Sequence, residues 1–205
     1  MFFRYLLLFL SVLSFAFAKP YVSQQIIDNV AKKYNRFAKN RFIDMEERLD
    51  ALKNKSTIIK LNSVNTLFNQ VRYKTDEQNY HLSDYWATPW EFLARDAGDC
   101  EDYVIAKYFA LKYLGIDPKK MYFTYVKSTQ FKESHMVLTY FETPSSEPLI
   151  LDNNNRLVLP ASKRKDLIPI YNFNGDLLSN SAKKKFQKTT KKWDDLILDT
   201  KKGKI

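Results

Sequence analysis

The chain has 205 residues, a formal net charge of +10, one cysteine and four glycines. One cysteine excludes a disulfide-stapled scaffold, and 45% apolar with 27% charged residues excludes a fibrous or wholly disordered chain, leaving one domain with a real core. The basic excess is concentrated at one end: Ser179 to Ile205 holds nine lysines against three aspartates, while Asp84 to Leu178 is slightly acidic. Such a segment reads mostly as a solvated face, with Trp193 as the residue able to pack. No motif of a nucleic-acid reader accompanies it, so nucleic acid is not an expected partner.

The chain opens with "MFFRYLLLFLSVLSFAFA". Arg4 forms a short charged region, an apolar run follows from Tyr5 to Phe15, and Ala16-Phe17-Ala18 supplies a cleavage site. Residues 1–18 therefore read as a secretory signal peptide. An uncleaved anchor is the alternative, but the run is short for a span and no second apolar stretch follows, so stable membrane insertion is not expected. Export leaves Cys100 in an oxidising compartment without an internal partner. It is then either buried or retained for its chemistry.

Val22 to Asn54 has the helical period in Ile26, Val30, Tyr34 and Phe37, and reads as one helix. A second helix carries Val64, Leu67, Phe68 and Val71. "TDEQNYHLSDY" reads as a polar connection, and His81 falls in it. In "ATPWEFLA", Thr88 can cap a helix, Pro89 suits its first position, and Glu91 completes a capping box. "ARDAGD" reads as a loop. Glu101 to Leu114 is a helix stopped by Gly115. Beyond it the pattern changes to short runs of β-formers: "MYFTYVK", "SHMVLTYF", "PLILD" and "LIPIYNFN". Helices first and strands after read as an α+β domain with an antiparallel sheet.

Cys100 stands one residue before the Glu101 helix, where unpaired N–H groups and a partial positive charge favour a thiolate. Its neighbours Asp99, Glu101 and Asp102 disfavour one. A nucleophilic thiol also needs a base. Of the two histidines, His135 opens a strand and Asp152 closes the next. Adjacent antiparallel strands can bring that pair side by side, completing a nucleophile, a base and a group that orients the base. Taken singly, a strand histidine and a strand-ending aspartate are also ordinary structural residues.

Three stretches, "YWATPWEFLARDAGDCEDYVIAKYFALKYLG", "SHMVLTYF" and "PLILDNNNRLVLPASKRKDLIPIYNFNGD", resemble the bacterial transglutaminase-like cysteine proteinases of the LapG type over roughly residues 84–178. The resemblance implies a papain/transglutaminase-like fold across 19–178, with a helical N-terminal part (19–83), a catalytic core (84–178) and a lysine-rich tail (179–205) outside it. It implies a catalytic triad at Cys100, His135 and Asp152. It also implies a periplasmic enzyme that clips the N-terminal region of a large surface adhesin, releasing it and dispersing biofilm. The implied partner is an inner-membrane receptor for cyclic di-GMP that sequesters the protease.

The resemblance further implies Ca²⁺, with Asp99, Glu101 and Asp102 as ligands. Hard oxygen donors suit that ion, and a bound cation would balance the charge around the thiol. Without the resemblance, an acidic helix start explains the same residues. Trp86 is implied to line the cleft, whereas Trp90 reads as core. Two other readings remain open: a protein-crosslinking transglutaminase using the same triad, and a non-catalytic peptide-binding module. Removing the chain beyond Ser179 is expected to leave the domain working.

Overall fold

A computed structural model describes residues 19–130, 132, 134–177 and 187–205. The expected leader, residues 1–18, lies outside them. The helices are α1 (Gln24–Lys33), α2 (Arg36–Asp50), α3 (Thr57–Phe68), α4 (Asp76–Tyr80), α5 (Pro89–Arg95), α6 (Cys100–Tyr113) and α7 (Gln187–Lys202). The strands are β1 (Arg72–Tyr73), β2 (Ala97–Gly98), β3 (Met121–Ser128), β4 (Ser134–Tyr140), β5 (Leu149–Asp152), β6 (Asn155–Pro160) and β7 (Leu167–Phe173). Among the described residues no helix is long and apolar enough to cross a membrane.

The expected single helix from Val22 to Asn54 is two. Its apolar period runs unbroken past the join, which is why periodicity does not see it. Asn35 breaks it: its backbone is extended and its side-chain oxygen accepts the Ala38 N–H at 2.9 Å, capping α2. The inward stripe of α2 is then Ala38, Phe42, Met45 and Leu49, and Phe37 is left 68% exposed. The "polar connection" contains α4, started by a Thr75–Gln78 capping box. The capping box expected at Thr88 and Glu91 is present at the start of α5.

The five-stranded sheet has the order β6-β5-β4-β3-β7, with every pairing antiparallel. Strand β6 is an addition to the four runs of β-formers: its first residue, Asn155, ends a run of three asparagines that resembles a loop. The central helix α6 is buried almost all round, from Asp102 to Leu111. The sheet lies against it through β4, and α3 and α5 flank it. In this way the buried helix α6 is laid against the central strand of the sheet.

The lysine-rich segment is more than a solvated tail. Trp193 of α7 is 2% exposed, edge-on to Tyr108 at 5.5 Å and to Phe123 at 5.1 Å, and Leu196 is buried beside it. The ring lies so close to Gly175 that a Cβ there would come within 2.0 Å of it, so glycine is required. Trp90 Nε1 donates to Thr200 O at 3.1 Å, and Thr88 Oγ1 donates to Lys204 O at 2.8 Å. The sequence expectation was that the domain works without the chain beyond Ser179, with Trp193 able to pack; removal at that point would strip this packing. Trp193→Ala is expected to cost about 3–5 kcal/mol of stability. The check is the urea midpoint, which should fall at unchanged slope; a wild-type midpoint would mean that α7 contributes nothing.

Candidate active site

Four elements converge. The β2–α6 junction presents Cys100 as the first helical residue, one position earlier than the sequence suggests. Gly98 allows the tight approach there: a Cβ on it would lie 2.6 Å from both Asp102 Oδ2 and the Phe92 ring. Strand β4 begins with Ser134 and His135, and β5 ends at Asp152. The register pairs His135 with Val126 and Leu138 with Leu151, which sets Asp152 diagonal to His135. The two side chains meet: His135 Nε2 lies 2.8 Å from Asp152 Oδ1, and both residues are buried.

Asp152 is pinned from three more directions. Its Oδ1 accepts the Asn154 N–H at 2.9 Å, its Oδ2 accepts Arg164 Nη2 at 2.7 Å, and its backbone carbonyl accepts Asn69 Nδ2 at 2.8 Å. Burial alone would raise this carboxyl. The bonds from His135, Asn154 and Arg164 outweigh it and hold the group down at about 2. Arg164, itself buried, is locked by Asp166 at 2.8 Å. Nothing in "ASKRKD" marks Arg164 out, since its neighbours are also charged. A polar recess opens beside the pair, lined by Ser128, Gln130, Lys163 and Asp166 among others. A larger hollow between Asp117, Lys120, Tyr122 and Glu142 lies at the far end of β3 and β4, away from Cys100.

Cys100 reaches the residue next to His135, since the Met136 amide bonds its sulfur. Its thiol donates to Glu101 Oε2 at 3.1 Å. Burial first, then Glu101 and Asp99, push the thiol well above its ordinary range, opposed by the Met136 amide. With those carboxylates uncompensated the residue is a thiol, as their position in the sequence implied.

The carboxylates are more numerous than the sequence showed. Asp76, Asp99 and Asp102 place oxygens within 4.8 Å of one another, and so do Asp76, Asp84 and Glu101. Of the expected trio, Asp99 and Asp102 fall in one group and Glu101 in the other, and Asp76, which the sequence did not single out, belongs to both, with Asp84 beside Glu101. Asp102 already serves the backbone, accepting the Ala87 N–H at 2.8 Å and the Asp99 N–H at 3.3 Å. Asp76 Oδ1 and Asp99 Oδ1 are buried with no partner among the described residues. Burial, Glu101, Asp102 and Asp76 together push Asp99 up to about 10, and burial likewise raises Asp102 and Asp76. Buried carboxylate oxygens without donors, crowded against further carboxylates, are a donor set that fits a hard divalent cation.

Two lysines of α7 approach this cluster. Lys192 contacts Asp84 Oδ1 and stands 5.3 Å over the Trp86 ring, and Lys188 lies 3.2 Å from Asp84 Oδ2. Trp86, expected at a cleft, is 6% exposed and stacks on Phe173 at 6.0 Å. Trp90 packs in the core as expected, edge-on to Tyr21 at 5.2 Å. His81 is a surface residue with a left-handed backbone at the end of α4.

The family model of the bacterial transglutaminase-like cysteine proteinases matches residues 26–166. Among solved structures, Legionella pneumophila LapG is 38% identical with a TM-score of 0.72, covering 87% of this chain and 97% of that one. The EGTA-treated form of the same Legionella protein is 39% identical at the same TM-score and coverage. Its calcium-bound form is 36% identical with a TM-score of 0.72, covering 87% of this chain and 99% of that one. No curated protein matches the sequence. With the family match spanning both the helical part and the sheet, and with the cysteine, histidine and aspartate inside it, the chain belongs to the bacterial transglutaminase-like cysteine proteinases.

Proposed function

We propose that this protein is a periplasmic, calcium-dependent cysteine endopeptidase that cleaves the N-terminal region of a large surface adhesin, under the control of an inner-membrane cyclic di-GMP receptor. The observation that carries the reading is the buried His135–Asp152 pair at 2.8 Å, one residue from the amide that bonds Cys100. The LapG resemblance supports the adhesin and the receptor, and the N-terminal segment of the sequence supports export.

In this reading Cys100 Sγ attacks the scissile carbonyl carbon. With Nε2 committed to Asp152, Nδ1 is the His135 nitrogen that takes the thiol proton and returns it to the leaving amine. Water then cleaves the thioester, with His135 again as base. The Cys100 backbone N–H, at the first position of α6 and without an intrahelical acceptor, faces the developing oxyanion. Asp76, Asp84, Asp99, Glu101 and Asp102 are the residues that would hold Ca²⁺, consistent with the calcium-bound Legionella relative. When bound, the ion supplies positive charge that balances these carboxylates. Glu101, otherwise the acceptor of the thiol proton, is then no longer a competitor of His135.

The test is incubation of the exported chain with the purified N-terminal segment of an adhesin from the same organism, in calcium. Two discrete fragments are the expected result. A cross-linked product of higher mass would instead make the enzyme a transglutaminase, and an intact segment beside folded, calcium-loaded protein would overturn the adhesin assignment.

A further inference from the structure

Lys107 lies two turns along α6 from Cys100 and on the same side of the helix, and it is 0% exposed. A buried ammonium is costly unless it is bonded. This one donates to Asn65 Oδ1 at 2.8 Å and stands 5.8 Å from the Tyr103 ring centre. Asn65, on α3, is also 0% exposed. Its Nδ2 donates to the carbonyls of Asn155 at 2.9 Å and Arg156 at 3.2 Å. One turn further on, Asn69 Nδ2 donates to the carbonyls of Asp152 at 2.8 Å and Asn155 at 3.1 Å. A continuous polar chain therefore runs from the cysteine helix, through α3, to the turn between β5 and β6 that carries Asp152.

The chain has a direction. The turn carbonyls can only accept, so they take the NH₂ of Asn65 and leave its oxygen facing α6, where Lys107 Nζ donates to it. Without Lys107 the Asn65 oxygen loses its link to α6, and the turn is tied to α3 alone. Asp152 also acts back on Lys107 through its charge: burial pushes the lysine down to about 7, and the Asp152 carboxylate opposes that fall.

We propose that Lys107 is a positioning residue which, through Asn65, holds the Asp152 turn in register with the Cys100 helix and so fixes where Asp152 presents His135. This assignment rests on the reading of Cys100, His135 and Asp152 as the catalytic set. It adds to that reading a residue that touches none of the reacting atoms.

The chain has two histidines and one cysteine, so both groups can be observed individually. The experiment records imidazole ¹H–¹⁵N spectra and iodoacetamide alkylation rates for the full chain and for Lys107→Met. In the variant, His135 signals are expected to broaden or split while those of His81 stay unchanged. Alkylation of Cys100 should slow about 10- to 100-fold, the scale on which small misplacements are felt. The double variant Lys107→Met/Asn65→Leu removes both buried polar groups at the α3–α6 contact, and should show the same His135 behaviour if the single variant folds poorly. Wild-type His135 signals and alkylation in either folded variant would overturn the proposal, even if the unfolding midpoint had moved. The wild-type chain failing to cleave any adhesin would count against the proposed substrate, and would leave this result standing.

Discussion

Cys100→Ala and His135→Ala are each expected to abolish peptide cleavage, with losses on the order of 10⁴-fold or more. The first removes the sulfur that bonds the Met136 amide, and the second removes the imidazole held at 2.8 Å by Asp152. Because these groups act as a unit, the double variant should be scarcely worse than either single one. Neither change should unfold the protein: Cys100 is half-buried at a helix start, and His135 is the second residue of β4, at the end of that strand. Asp152→Asn is different. Its carboxylate is also the buried partner of Arg164, so the change leaves a buried guanidinium with Asp166 alone. Breaking a buried pair from one side costs about 3–5 kcal/mol. Asp152→Asn should therefore lose stability as well as turnover, while Cys100→Ala loses turnover alone. Cleavage kinetics paired with urea unfolding separate the cases, and a correctly folded Cys100→Ala that still cleaves would rule out the triad.

Chelation is expected to stop cleavage reversibly, with Ca²⁺ restoring it. The physical reason is the crowd of buried carboxylates beside the nucleophile, two of whose oxygens have no donor among the described residues. Mg²⁺ should substitute poorly, because it demands a tight octahedral shell and holds its waters. Asp99→Asn and Glu101→Gln should weaken calcium binding and activity together. Asp76→Asn and Asp84→Asn should do the same, although both lie more than fifteen residues before the nucleophile. Saturation at a hundred times the dissociation constant should add about 2.7 kcal/mol to the stability of the native state. Calorimetric titration of chelator-treated protein beside a cleavage assay decides the matter. Full activity in excess chelator with no heat on adding Ca²⁺ would refute the metal reading.

Much of the candidate site was legible in one dimension. A lone cysteine at the start of a strong helix, a histidine opening a strand and an aspartate closing the next are local signals; His135 and Asp152 lie where those signals put them, and Cys100 falls one position inside the helix. The Thr88 capping box and the strands from Met121, Ser134 and Leu149 are equally local, because caps and alternation act over a few residues. The α1–α2 break was readable too, in the capping preference of Asn35, but periodicity outvoted it. What the chain order concealed is everything that depends on distant segments meeting. Asp76 and Asp84 look like turn residues until α4 folds against the start of α6. Arg164 looks solvated until β5 and β7 enclose it beside Asp152. Lys107 looks like one surface lysine among many until α3 and the sheet close over its helix. Trp193, in a segment whose charge suggests solvent, finds its place only because Gly175 leaves room for the ring. Hydrophobic period and capping are written residue by residue. The pairing of buried charges is decided by which elements pack together, and only the tertiary fold determines that.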